Sequence, residues 1–137
     1  MQEGVRQRLQ AFLKMGGFDQ SLVGLEIVSA DAGRAVLKIV VGREVQNLGG
    51  NLHGGAIATL VDDAGTIAIM TADENSRPGV TTDLNVSYFA AGRAGETVLA
   101  TAEVLKVGRT MAYVSVDLRR ESDGVRIAQG RMSKFLS

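Results

Sequence analysis

The sequence predicts an α+β fold, a mainly antiparallel sheet of six strands wrapped around one central helix. Three observations predict it. Strand-like runs occur twice before a long helical segment and four times after it, the last three separated only by turns. The helical segment is apolar on most sides, and such a helix is buried on most sides. It is also the one internal helix between strands, which leaves too few crossovers for a parallel doubly wound sheet.

The elements follow in order. Near the N-terminus Val5, Leu9, Phe12 and Leu13 share one helical face, with Arg6, Gln7 and Gln10 away from it. This predicts a short amphipathic helix lying on the domain. The segment has no continuous apolar core of a secretory signal, and Glu3 and the lack of serines argue against a mitochondrial presequence. Gly16-Gly17 ends the helix. Leu22 to Ala30 and Arg34 to Val41 read as strands joined by the turn Asp31-Ala32-Gly33. In the second, Ala35, Leu37, Ile39 and Val41 alternate with Arg34, Val36, Lys38 and Val40, the period of a strand with one apolar face. A glycine-rich loop, Gln46 to Gly55, then leads into the long helix, Gly55 to about Ala72. Ile57, Leu60, Val61, Ala64 and Ala68 form one stripe of that helix, and Ala58, Ile67 and Ile69 cover much of the rest. After Pro78 come strands over Val80 to Ala90, Glu96 to Val107, Thr110 to Glu121 and Val125 to Leu136. Gly108-Arg109 and Ser122-Asp123-Gly124 read as tight hairpin turns.

Composition narrows the function classes. The 137 residues form a single expected domain, residues 1–137, with no repeat or linker. Hydrophobic residues make up 45% and charged residues 22%, enough apolar surface for a folded core. Fifteen basic and 15 acidic side chains cancel, without the basic excess of a nucleic-acid or anionic-membrane binder. With no cysteine, thiol nucleophiles, disulfides and thiolate metal sites are excluded, and with one histidine so are His-rich metal motifs. No continuous apolar run reaches the ~18 residues of a membrane span. The cytoplasm is the expected compartment, with the mitochondrial matrix as the alternative. No G-x-S-x-G elbow, dinucleotide-binding glycine pattern or phosphate-binding P-loop is present.

A few polar residues stand out. Asp62-Asp63 lies in the middle of the apolar helix, where desolvating a carboxylate is costly. Adjacent helix positions diverge by ~100°, so the two point different ways. One suits a cleft, the other a sheet surface or subunit boundary; alternatively both are partly exposed or cap backbone groups. His53 precedes the helix start beside Gly54 and Gly55, where unpaired N–H groups suit a polarised carbonyl or an oxyanion. Its plainer reading is a structural hydrogen-bonder. Asn47 either orients a substrate or water or serves its own turn. Thr81-Thr82 offer hydroxyls at the start of a strand. Lys106, Arg109, Arg131 and Lys134 either meet phosphates or are solvated edge charges.

The stretch Asn47-Leu48-Gly49-Gly50-Asn51-Leu52-His53-Gly54-Gly55, with Ala58-Thr59-Leu60-Val61-Asp62 after it, resembles the hotdog-fold acyl-CoA thioesterases. It is most similar to their PaaI-type and thioesterase-superfamily branch. Pro78 to Asn85, Gly108-Arg109-Thr110 and Ile127 to Arg131 resemble the same branch, so the likeness spans nearly the whole chain. The resemblance implies a hotdog fold and hydrolysis of acyl-CoA to a carboxylic acid and coenzyme A. It implies Asp62 as general base or nucleophile, and Asn47 as the residue that positions the thioester or the water. Gly54 would supply an N–H to the carbonyl, with His53 beside it, and Thr81 would help hold the water. Asp63 matches no catalytic position. Lys106, Gly108, Arg109 and Thr110, and more remotely Arg131 and Lys134, are the implied coenzyme A contacts. No metal or separate cofactor is implied, coenzyme A being part of the substrate. The resemblance further implies a homodimer paired through the strand over Val80 to Ala90, with active sites shared across it, and a homotetramer built from two dimers.

Two other readings share these residues. A hotdog hydratase or dehydratase would pair His53 with Asp62, although the proline-rich dehydratase signature is missing. A non-catalytic acyl-CoA binder would have no need of a carboxylate inside an apolar helix. The length of the acyl pocket is expected to depend on how Leu48, Ile57, Leu60, Val61 and neighbouring side chains from two subunits pack.

Overall fold

The computed structural model describes residues 3–137, with side chains from Gln7 onward. The order is α1 (Glu3–Leu13), a 3-10 turn (Phe18–Ser21), β1 (Glu26–Asp31), β2 (Arg34–Val40), a second 3-10 turn (Arg43–Val45), α2 (Gly54–Ala72), β3 (Val80–Tyr88), β4 (Thr97–Val107), β5 (Met111–Arg120) and β6 (Arg126–Phe135). The six strands make one sheet in the order β1-β2-β4-β5-β6-β3, and every described pairing is antiparallel. The expected architecture is therefore the observed one. In α1, Leu9 and Leu13 are buried and Phe12 packs against the core, as the amphipathic pattern requires. The side chains of Val5 and Arg6, and residues 1–2, lie outside the described part.

The alternation read in β2 holds: Ala35, Leu37 and Ile39 are buried, and they pair with Ala102, Ala100 and Val98 of β4, also buried. The β1–β2 turn is tight because Ala32 and Gly33 both adopt positive φ, 49° and 84°, the backbone of a turn that matches strand twist. Leu22 to Leu25 is not part of β1. It is a turn in which Leu25 N bonds Leu22 O at 3.1 Å, so its two buried leucines follow turn spacing rather than strand alternation. The later hairpins are wider than expected, with loops over 108–110 and 121–125. In the second, Asp123 Oδ1 accepts from Val125 N and from Arg120, which holds the loop open.

Helix α2 carries the chain from β2, near one edge, across the sheet to β3 at the other edge. Ile57, Leu60, Val61, Ala64, Ile67, Ala68 and Ile69 are buried beneath the strands. By length and mean hydropathy α2 would also pass as a membrane span. Here its apolar surface is spent on the sheet, and burying each Leu or Ile contributes ~1.5–3 kcal/mol. Close approach depends on two glycines. A Cβ at Gly65 would lie 2.8 Å from Val114 Cγ1, and one at Gly130 of β6 would lie 2.8 Å from Val61 Cγ1. At the far end Asp73 accepts from Arg77 N at 2.8 Å and Arg77 Nε at 3.0 Å. The Arg77 guanidinium and that N–H hold the Asp73 carboxyl down at about 2. This clasp directs the chain into β3.

Candidate active site

Asp62 and Asp63 point apart, as their helix positions require. Asp62 is half-buried, and its Oδ1 accepts from Thr81 Oγ1 at 3.0 Å. Thr81 stands at the start of edge strand β3, so α2 and β3 together fix this carboxylate. Asp63 turns inward and is 7% exposed. It meets Asp19 of the first 3-10 turn through a carboxyl–carboxyl hydrogen bond, which exists only while one of the two carries a proton. No donor reaches Asp63 Oδ2. Burial first, then Asp19, pushes the Asp63 carboxyl up to about 9. At neutral pH Asp63 therefore keeps its proton and is no candidate for a general base.

The sequence reading misses Lys134. It is not a solvated edge charge: it is 5% exposed, on the inner face of β6, and donates to Thr66 Oγ1 at 2.6 Å. Thr66 in turn donates to the Asp62 main-chain oxygen at 2.7 Å. Burial pulls the Lys134 ammonium below its usual range, opposed by Asp62, Asp63 and Asp19. The signal was the position of Lys134 in the alternation of β6, two residues after buried Met132 and two before buried Leu136.

The start of α2 is built by the glycine-rich loop. His53 is its N-cap, and Nδ1 accepts from Gly55 N at 2.8 Å. That bond makes Nδ1 the unprotonated nitrogen and leaves Nε2–H free for a ligand. Asn47 is also occupied on one side. Its Oδ1 accepts from Gly49 N at 2.9 Å and Asn51 N at 3.1 Å, closing the loop, while its Nδ2 makes no hydrogen bond among the described residues. The plain readings of His53 and Asn47 thus hold, and each keeps a free donor. The Gly54 N–H has no acceptor among the described residues, as expected in a first helical turn. Tyr88, which carried no signal in the sequence, donates to Gly54 O at 2.9 Å and covers its Cα.

The remaining candidates lie elsewhere. Gly108, Arg109 and Thr110 form the β4–β5 loop, with Lys106 exposed beside it. The loop is at the Thr81 end of the sheet, since Leu136 N bonds Thr110 O and Thr81 pairs with Lys134. Arg131 is exposed on the outer face, opposite Asn85. The expected acyl-lining residues do not form a pocket in one chain: Ile57, Leu60 and Val61 are closed into the core and Leu48 is fully exposed. A small recess of about 200 Å³ instead flanks the helix start, between Phe18, Leu22, Val45, His53 and Ala56. A wider groove of about 1100 Å³ runs between α1 and the end of α2, touching none of Asp62, Thr81, His53 or Gly54. The candidate site is the region of the half-buried carboxylate and the free amide, not either cavity.

A capped helix start with a free glycine amide, and an aspartate held by a strand threonine, is the pattern the loop motif pointed to. Residues 49–127 match the family model described as Thioesterase superfamily. The human protein Acyl-coenzyme A thioesterase 13 is 40% identical over 136 residues, 99% of this chain and 96% of that one. The chain belongs to the thioesterase superfamily. This thioesterase is 45% identical to zebra fish thioesterase superfamily member 2, whose crystal structure superposes with a TM-score of 0.90 over 97% of this chain and 96% of that one. The E. coli PaaI protein, 23% identical, shares the fold with a TM-score of 0.84 over 97% of this chain and 93% of that one. The hotdog architecture expected from the motif is thereby the architecture of this enzyme. Asn47 lies just outside the matched region, as does Lys134.

Proposed function

We propose that this thioesterase hydrolyses acyl-CoA to a carboxylic acid and free coenzyme A, at sites each assembled from two subunits. The substrate class is supported by the name and near full-length similarity of the human relative. One observation carries the shared site: edge strand β3 holds the two halves of the chemistry at its opposite ends. Thr81 contacts Asp62 at one end and Tyr88 contacts Gly54 at the other. Along α2, positions 54 and 62 are ~12 Å apart at the rise of a helix. A donor must sit ~3 Å from the oxyanion, so one subunit cannot apply both groups to one carbonyl. Antiparallel pairing of β3 with its copy reverses the second strand. It brings Gly54 of the partner subunit beside Asp62.

The reaction then runs in balance. Asp62, oriented by Thr81, takes a proton from water as the oxygen attacks the thioester carbonyl. The oxyanion forms against the N–H of Gly54 of the partner subunit, in the field of the helix start. His53 acts by capping that start and Asn47 by closing its loop, with Nε2–H and Nδ2 left to meet the substrate. Collapse expels coenzyme A as its thiolate, which Asp62 or solvent reprotonates. Lys106 and the 108–110 loop, with Arg109 at its tip, supply charge and N–H groups for the phosphates, and Arg131 is a more distant contact. Dimers pair again into the tetramer.

The test is free-thiol release from a panel of acyl-CoAs, acetyl to palmitoyl with phenylacetyl and hydroxybenzoyl, by the parent and by Asp62→Asn. The parent releases thiol, and the variant, still folded, turns over about 10²-fold more slowly or worse. Near-parental turnover would remove Asp62 from the mechanism. No release with any substrate would remove the hydrolase reading for acyl-CoA.

A further inference from the structure

The reaction above leaves one buried cation without a task. Lys134 lies inside the molecule, where a lysine is rarely found without a partner anion. Its hydrogen bond is to a neutral hydroxyl, that of Thr66. Its surroundings tie it to Asp62 by three routes. Lys134 and Thr81 are directly paired across β6 and β3, and Thr81 donates to Asp62 Oδ1. Thr66 holds the Lys134 ammonium and donates to the Asp62 carbonyl one helical turn back. Of the charges acting on Lys134, Asp62 is the strongest, ahead of Asp63 and Asp19.

We propose that Lys134 is a positioning residue for Asp62: fixed on Thr66 beside the Thr81–Asp62 contact, it supplies the buried positive charge against which Asp62 works as a carboxylate. The groups facing it can be counted by element. From α2 they are Asp62 and Asp63, from the first 3-10 turn Asp19, from β3 the hydroxyl of Thr81, and from β5 its apolar pair Ala112. Asp83 and Arg131 are exposed and lie with Tyr113 along the outer side of the sheet. Asp63 and Asp19 face one another, which puts two more carboxyls near Asp62. The region thus gathers three carboxyls. Lys134 is the only cation that offsets them among the described groups acting on Asp63. Without it, an ionised Asp62 would stand against like charge in a partly dry site, and its proton would be harder to remove.

This inference rests on the role given to Asp62, and its test separates the two. The pH dependence of kcat/KM is measured for the parent and for Lys134→Met. Loss of the charge moves the acid limb upward by about one pH unit, with KM little changed. A purely structural lysine would reduce the amount of active enzyme without moving the limb, and an unmoved limb in a folded variant overturns the proposal. Should Lys134→Met fail to fold, coupling is read from the other side. The Lys134 side chain is titrated by NMR in the parent and in Asp62→Asn, and reciprocity requires its midpoint to fall in the variant by a similar amount. An unchanged midpoint overturns the proposal. Persistent turnover in Asp62→Asn would instead count against Asp62 as the base, whatever the titration reads.

Discussion

Asp62 and Asp63 are adjacent in sequence and opposite in chemistry, and the difference comes from what each faces. Asp62 meets a hydroxyl donor at a half-open edge, whereas Asp63 meets another carboxyl in the interior. This has a consequence for stability whose sign is fixed. An aspartate in the unfolded chain titrates near 3.8, but folded Asp63 keeps its proton up to about 9. Between those values the folded state binds the extra proton, so stability falls as pH rises, by up to ~1.4 kcal/mol per pH unit. Asparagine in its place still donates a hydrogen bond to Asp19 and has no proton to lose. Asp63→Asn is therefore expected to be more stable than the parent, with the gain growing from about pH 5 to about pH 8 in urea unfolding. Its turnover should stay within about threefold of the parent, because Asp63 takes no part in proton transfer. A gain equal at both pH values would mean that Asp63 is already ionised in the fold. The divergence of the pair was legible from helix geometry alone. The partner of Asp63 was not, because Asp19 reaches it through the tertiary fold, from a short turn that the sequence did not announce.

At the level of elements, the sheet and α2 were legible because burial leaves a period in the sequence. Strand β2 has one apolar face and α2 has nearly none that is polar, and both patterns survive folding intact. Features without a period were lost: the turn over Leu22 to Leu25, the widths of the later hairpins, and Tyr88 lying over Gly54. The separation between α2 and the sheet belongs to the same level, and glycine sets it. Gly130 faces Val61, the residue before Asp62, and a methyl group added there would meet both Val61 methyls and stand 3.1 Å from Asn85 O. Neither neighbour can swing away, one being β-branched in a helix and the other backbone. Gly130→Ala is expected to cost about 1–3 kcal/mol in chemical denaturation, as overpacked cores do. It should also slow turnover, because a displaced Val61 drags Asp62 from Thr81. Full activity with lowered stability would mean that the helix yields elsewhere and leaves the carboxylate in place.

On the scale of the whole molecule, β3 is the unfinished side. Its outer edge has no partner strand among the described residues, and Leu84 and Tyr88 on its inner side remain 39% and 53% exposed. Exposed edges of this kind invite pairing. A shared site can be tested without any structure of the assembly. Proline is tolerated in the first position of a helix, and His53 before it already has the extended backbone that proline demands, φ −62° and ψ 137°. Gly54→Pro therefore deletes the amide donor and spares the helix, and turnover should drop about 10²–10³-fold. Mixing it with Asp62→Asn after unfolding and refolding gives mixed dimers with one site doubly defective and one site intact. Activity should return to about a quarter of the parental value, since about half of randomly formed dimers are mixed. No recovery from a mixture shown to contain mixed dimers would place both groups in one subunit.

The crossing made by α2 also has a consequence in time. Strand β3 precedes β4 and β5 in the chain, but its neighbour among the described strands is β6, which follows both. Contacts between residues far apart in sequence form late, because the intervening chain must first be ordered. While β4 and β5 are being made, the β6 side of the strand that carries Thr81 therefore waits unpaired. The carboxylate that Thr81 holds acquires this contact in place only when β6 arrives. The ordering of the Thr81–Asp62 contact is a late event of folding.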